Sequence, residues 1–263
     1  FFLISPILMY RLNLHLSLGA HWLILAFFYL DICQSQKNIF YKKLFIIVLS
    51  SLIHFYFTII ILIMNLFFSF FNYIETKNFK KFLKENLIIL IILCFFMYIC
   101  GYFELPATDA LGYGYGYFKS NLLTFVDPNY ISSEKSWSIF IPDIYNSQGE
   151  KEGFGYLGLG ILLIILIVFF LNIRNFRITK SINYKYFYLS IFLLILSFTN
   201  NINIGSHSII SFELPKIIFG PLSIVRASGR LIWPVYYLIL IFSIYGLFKS
   251  IPNKKNYVLI ILL

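Results

Sequence analysis

The sequence predicts an all-α fold, a polytopic bundle of transmembrane helices, and three observations carry that reading. Of the 263 residues 60% are hydrophobic and 12% charged, with a mean hydropathy of +0.83. A soluble domain with a large core does not need so apolar a composition. The apolar residues also gather in runs long enough for a bilayer, parted by short loops rich in Lys and Arg. Finally, one long polar interval from Glu104 to Gly153 holds Glu104, Asp109, Asp127, Glu134, Asp143, Glu150 and Glu152 against Lys119, Lys135 and Lys151. Irregular polar backbone cannot sit in lipid, and basic loops mark the inner side, so this acidic interval is expected outside.

Taken in order, Leu12–Ile32 is the first complete apolar helix and Leu44–Tyr73 an unusually long second one that must tilt or overhang. Leu87–Phe103 is the third, preceded by the loop Glu75–Asn86, whose Lys77, Lys80, Lys81 and Lys84 place it inside. After the external loop, residues 104–153, come helices over Phe154–Ile173 and Tyr186–Asn200, joined by an inner turn with Arg174, Arg177, Lys180 and Lys185. A second external loop covers residues 201–229, Leu231–Phe248 returns inward to Lys249, Lys254 and Lys255, and Tyr257 starts a last span. Lys37, Lys42 and Lys43 conflict with this scheme, because they fall outside if every run crosses once. The chain opens at Phe1 within an apolar run and closes within another, so residues 1–263 read as a fragment of a single transmembrane domain.

The net charge of +10 sits beside apolar runs. It is therefore read as a topology signal with contacts to lipid headgroups, and no nucleic-acid partner is expected. Cys33, Cys94 and Cys100 are odd in number and lie in or beside apolar runs, so they suggest neither a disulfide framework nor a metal site.

Several residues stand out chemically. On a helix at about 100° per residue, Arg11, His15 and Trp22 share one narrow stripe, with His21 a quarter turn away. Such an intramembrane polar stripe faces protein or water, as a buried helix contact or a ligand-binding face. His54 is a lone imidazole inside an apolar run, either bonded to a neighbouring helix or functional. The run Leu111–Tyr117 alternates Gly with Tyr113, Tyr115 and Tyr117. It lacks the lead of a potassium filter, and its ring faces suit sugar stacking or a structural aromatic loop. Arg226 and Arg230 lie four residues apart around Ala227-Ser228-Gly229. At a helix entry they would aim two guanidinium forks at one phosphate, or else anchor to lipid headgroups.

The series Arg11-x3-His15-x5-His21-Trp22, Ile53-His54-x-Tyr56, Glu152-Gly-Phe-Gly-Tyr-Leu-Gly-Leu-Gly160 and Arg226-Ala-Ser-Gly-Arg230-x2-Trp233 resembles a bacterial multi-pass membrane family. That family is similar in layout to GT-C-type glycosyltransferases, and the resemblance covers most of the chain. It implies sugar transfer from a polyprenyl-phosphate-linked donor to a glycan or lipid acceptor, at the outer face of the bacterial inner membrane, in cell-envelope glycan assembly. A GT-C enzyme places its main catalytic carboxylate in the first external loop, which would lie before Phe1. Within this chain Glu152 and Asp109 are the expected acceptor-orienting or auxiliary base groups. No Asp-x-Asp pair appears in the external loops, so neither metal nor other cofactor is expected. A lipid or glycan transporter or flippase, a polysaccharide polymerase or ligase, and a non-catalytic assembly partner remain alternatives.

Overall fold

The computed structural model describes residues 2–33, 37–104, 114–128, 136–144, 147–172 and 184–250. Helices dominate: α1 (Pro6–Leu14), α2 (Trp22–Ile32), α3 (Ile39–Ile53), α4 (Phe55–Thr76), α5 (Phe79–Ile99), α6 (Leu159–Asn172), α7 (Tyr184–Phe198), α8 (Lys216–Ser223) and α9 (Trp233–Ser250). The expected all-α content needs one correction, an antiparallel hairpin of β1 (Asn201–Ile204) and β2 (His207–Ser211). Gly205 adopts the left-handed conformation that its two-residue turn with Ser206 requires. Among the described residues three helices are long and apolar enough to cross a membrane: Phe55–Thr76, Phe79–Ile99 and Ser228–Ser250. Leu16–Ile32, Leu159–Leu171 and Tyr184–Phe198 are apolar but shorter.

The chain divides into two compact units. One gathers the described residues of 11–113 and 217–225, the other those of 1–10, 114–216 and 226–263.

In the first unit the long helix expected over Leu44–Tyr73 is in fact two. His54 takes an extended conformation (φ −166°, ψ 135°) between α3 and α4, and its Nδ1 accepts the Tyr56 N–H at 3.2 Å, capping α4. The chain reverses there. Residues at the start of α3 (Ile39, Phe40, Lys43) line one cleft together with Asn65, Ser69 and Asn72 of α4 and Lys81, Glu85 and Asn86 of α5. At the opposite end the Tyr102 hydroxyl, just beyond α5, donates to the Ser51 carbonyl of α3 at 3.0 Å.

Helix α2 lies between the same two ends, with His21 against the Phe57 ring at one and Asp31 paired with Lys43 at 3.2 Å toward the other. Helices α2 to α5 therefore run up and down in alternation. Lys37, Lys42 and Lys43 share an end with Lys77, Lys80, Lys81 and Lys84, and the conflict over the first lysines disappears.

The turn between α4 and α5 follows from its residues. Lys77 takes the left-handed conformation that ends α4, and the Asn78 carboxamide accepts the Lys81 N–H at 3.0 Å to start α5. Helix α5 thus begins at Phe79 rather than Leu87, with its first lysines inside its opening turns.

The continuous helix expected over Leu12–Ile32 is broken as well. His15 is extended (φ −148°, ψ 106°), and Leu16–Gly19 forms a short 3-10 turn before α2. The stripe of Arg11, His15 and Trp22 therefore does not exist. Arg11 and His21 are buried and interact electrostatically, while His15 and Trp22 are exposed.

The reversal at His54 makes a topological prediction. In a protein lacking its native cysteines, single cysteines replacing Lys42 and Lys80 are expected to react with an impermeant thiol reagent from the same membrane face. Labelling from opposite faces would contradict the hairpin.

Candidate functional site

The interval expected as an open external loop is folded, wherever it is described, into a platform within the second unit. Residues 117–125 form its axis. The Ser120 N–H donates to the Ser197 carbonyl at the end of α7 (2.9 Å), and the Leu122 N–H to the Asn203 carbonyl of β1 (3.0 Å). On the other side the Gly229 N–H donates to the Phe118 carbonyl (2.9 Å), and the Leu157 N–H to the Phe125 carbonyl (3.1 Å).

Two glycines allow this approach. A Cβ on Gly229 would stand 2.7 Å from the Gly153 backbone, and one on Gly153 would stand 2.5 Å from the Ser120 Cα. Both distances are shorter than non-bonded contact permits. The glycines of the Glu152–Gly160 and Arg226–Arg230 segments thus serve, in part, to let three backbones cross.

Glu150 organises the polar side of the platform. It lies in the 3-10 turn Gln148–Gly153, is 2% exposed, and closes a capping box with Ser147. One carboxylate oxygen accepts from the Asn203 carboxamide (2.8 Å), and the other from the Asn121 carboxamide (3.0 Å) and the Ser147 N–H (3.2 Å). The ammonium of buried Lys119 lies 3.7 Å away and also donates to the Asn201 carbonyl. Burial pushes the Lys119 ammonium below its usual range, against the opposing pull of Glu150. Asn121 then exchanges both carboxamide hydrogen bonds with the Gly205 backbone (2.9 and 3.0 Å), pinning the hairpin turn.

A second carboxyl pair lies farther along. Asp127 is buried and accepts the Ile144 N–H at 3.2 Å, and half-buried Asp143 is coupled to it electrostatically. Burial raises the Asp143 pKa above the ordinary carboxylate value, the charge of Asp127 raises it further, and Lys151 opposes the shift. The Trp137 backbone N–H donates to the Pro128 carbonyl next to Asp127 (3.2 Å), and the Trp137 ring lies 6.0 Å from Phe154. Phe154 in turn packs on Tyr10, centroid to centroid 4.8 Å, with buried Tyr156 in the same cluster. The backbone bond from Trp137 to Pro128 thus ties the segment that carries Asp127 to an aromatic cluster.

The sequence-derived residues fall in different places. Glu152 is bound by Arg230, Nε to Oε2 at 2.8 Å, in a largely shielded ion pair. Arg226 is exposed and precedes the 3-10 turn Ser228–Ile232, with non-helical Ala227 between (φ −95°, ψ 65°). The helical i, i+4 geometry assumed for the two arginines is therefore corrected, because the helix entry is a 3-10 turn that starts after Arg226. A Cβ on Gly114 would stand 3.2 Å from that of Arg226, which places this arginine beside the first described residue of the Gly–Tyr run.

Tyr115 is half-buried and its hydroxyl pKa is raised by burial, while Tyr117 packs edge-on against Phe118 at 4.9 Å. Asp109 and Tyr113 lie outside the described residues. Arg11, His15, His21 and His54 belong to the first unit.

Sequence reasoning missed Glu150, Lys119, Asn121, Asn203 and the Asp127–Asp143 pair. The Ser147-x2-Glu150 spacing was a readable capping-box signal for the first of them. Nothing in the spacing of Asp127 and Asp143 announces their contact.

Two stability effects are expected. Glu150→Gln leaves the Lys119 ammonium buried without its counter-charge and should destabilise the protein by about 3–5 kcal/mol, read by denaturant unfolding. For Asp143 the folded state holds a proton more tightly than the unfolded state. Stability should therefore fall as pH rises from the unfolded value of 3.8 through the raised folded value, and Asp143→Asn should flatten that slope in thermal unfolding.

No curated protein and no solved structure matches the chain. A family profile does match, and it covers residues 1–263. Over that length the chain belongs to the family described as Domain of unknown function (DUF6311).

Proposed function

We propose that this chain is the multi-pass membrane part of a GT-C-like glycosyltransferase of the bacterial inner membrane. It transfers a sugar from a polyprenyl-phosphate donor to a glycan or lipid acceptor at the outer face. The Asp127–Asp143 pair, on a segment tied to the Trp137–Phe154–Tyr10 cluster, is the observation that carries the reading. Glycosyl transfer to a hydroxyl needs a base at the acceptor and an apolar face for a sugar ring.

In this mechanism the acceptor oxygen attacks the anomeric carbon, the bond from that carbon to the phosphate oxygen breaks, and the phosphate leaves with the electron pair. The acceptor proton passes to Asp143, whose raised proton affinity makes it a stronger base than an ordinary carboxylate, and Asp127 shares that proton. Arg226 meets the donor phosphate as an exposed guanidinium. Glu152 holds Arg230 in place and so acts as a positioning residue rather than as the base.

The transporter alternative draws on a different observation, the break at His54. Helix α3 has 15 residues, about 22 Å at 1.5 Å per residue, and adjoins a full-height helix. A helix of that height that turns back on its neighbour is a re-entrant segment, and within a membrane such segments are tolerated where they are buried in protein or line a cavity.

The two readings separate in proteoliposomes carrying the full-length protein and a polyprenyl-phosphate-linked radiolabelled sugar. Sugar transfer is expected. Asp143→Asn should lower kcat by about 10²- to 10⁴-fold with KM nearly unchanged, and Arg226→Ala should raise KM roughly 10-fold or more. Translocation of the labelled lipid without transfer would favour the transporter and overturn the transferase.

A further inference from the structure

The end of the first unit where the lysines gather encloses a cleft of about 190 Å³ between α3, α4 and α5, lined by none of the residues assigned to sugar transfer. Its chemistry is mixed in an ordered way. Phe40, Phe68 and Ile89 supply an apolar wall. Its floor is a polar network, in which the Asn65 carboxamide donates to Asn86 (3.1 Å), and Asn86 donates to Ser69 (3.2 Å) and to the Phe82 carbonyl (2.8 Å). Two ammonium groups, Lys43 and Lys81, complete the lining, together with the carboxylate of Glu85.

The two cations are held differently. Lys43 is largely shielded, lies 3.2 Å from buried Asp31, and stands over the faces of Phe27 and Phe68 at 5.6 and 6.0 Å. An ammonium carries three donors in a fixed tetrahedral spread, so one carboxylate oxygen does not exhaust it. Lys81 is mostly exposed, and its contact with Glu85 is long, 3.9 Å, between neighbours on one helix face. A pair of that kind contributes little and yields readily to a better partner.

We propose that this cleft binds the phosphate group of a membrane-lipid headgroup. Lys43 and Lys81 take the phosphate oxygens, and the Phe40–Phe68 wall takes the glycerol and the first methylenes. The cleft runs from the middle of α4 and α5, at Asn65 and Ile89, to their lysine end at Asn72 and Lys81; these helices have 22 and 21 residues, a length that matches a hydrocarbon core, so the mouth of the cleft at Lys81 falls at headgroup level. The two ammonium groups and the two carboxylates balance before binding, and the positive excess that draws an anion comes from Lys42, Lys77, Lys80 and Lys84 at the same end. Asp31 offsets Lys43, and Glu85 competes with the ligand for Lys81, so that displacing Glu85 is part of binding. The inference rests on the membrane placement of the chain and not on sugar transfer.

The test is ligand titration of the purified full-length protein in neutral detergent, read by native mass spectrometry and by thermal unfolding. The probes are phosphatidylglycerol, diacylglycerol and glycerol phosphate. Phosphatidylglycerol is expected to bind, with diacylglycerol weaker by about tenfold or more. Lys81→Gln should weaken phosphatidylglycerol binding about tenfold, because one charge-assisted hydrogen bond is lost. Glu85→Gln should tighten it, the opposite sign from a merely structural role. Both positions are exposed enough to leave the fold intact, whereas Lys43 is left unchanged because its removal would strand buried Asp31.

Equal affinity of wild type and both variants overturns the proposal, as does diacylglycerol binding as tightly as phosphatidylglycerol. Glycerol phosphate binding as tightly as phosphatidylglycerol would overturn the lipid assignment in favour of a soluble phosphate ester. Asp143→Asn should leave all these affinities unchanged, so loss of sugar transfer and loss of headgroup binding are separable results.

Discussion

A carboxylate taken out of water must be met by donors and positive charge, and the second unit is arranged around meeting that demand at Glu150. Its two oxygens are contacted by residues from three separate stretches: Lys119 and Asn121, Ser147, and Asn203. None of these stretches is a long helix. Satisfying one buried charge therefore supplies an order that helix packing does not. The same requirement runs outward from Asn121, whose second set of bonds secures the turn at Gly205 and so the hairpin. The glycine contacts at Gly153 and Gly229 then bring the entry to α9 against this framework.

The first unit solves a different problem. Its helices are apolar and similar to one another, and nothing in their composition says which should be neighbours. A few polar residues decide it: Asp31 with Lys43, Asn65 with Asn86, and Tyr102 with the Ser51 carbonyl. In an apolar setting these few bonds select one arrangement from many of comparable packing energy.

The positions of most apolar helices were legible in the sequence, because long uncharged runs admit few other structures. The breaks inside those runs were not. Leu44–Tyr73 contains neither Pro nor Gly, so the usual marks of interruption are absent. What breaks it is an imidazole able to accept a backbone N–H two residues on, which a periodicity argument passes over. The hairpin was hidden for a similar reason. Ile204-Gly205-Ser206-His207 is a fair two-residue turn signal, but it sits inside a stretch assigned to loop by alternation of spans. Among the site residues, Glu152 and Arg230 were legible as a charged pair of motifs without their mutual contact, and the Asp127–Asp143 contact depends on a fold that brings residues 16 apart together.

The reversal at His54 bears on how such a chain enters a bilayer as it is synthesised. A 30-residue apolar run with lysines at both ends, crossing once, would require one lysine cluster to be carried through hydrocarbon. Folded back on itself, the same run brings Lys37–Lys43 and Lys77–Lys84 to one end, and His54 lies at the other, so neither cluster would have to be carried through hydrocarbon. Helices α3 and α4 then enter as a pair, and the first of them has no stable position until the second has emerged. In a bilayer the unit that enters would then be the pair from Ile39 to Thr76, and not either helix alone.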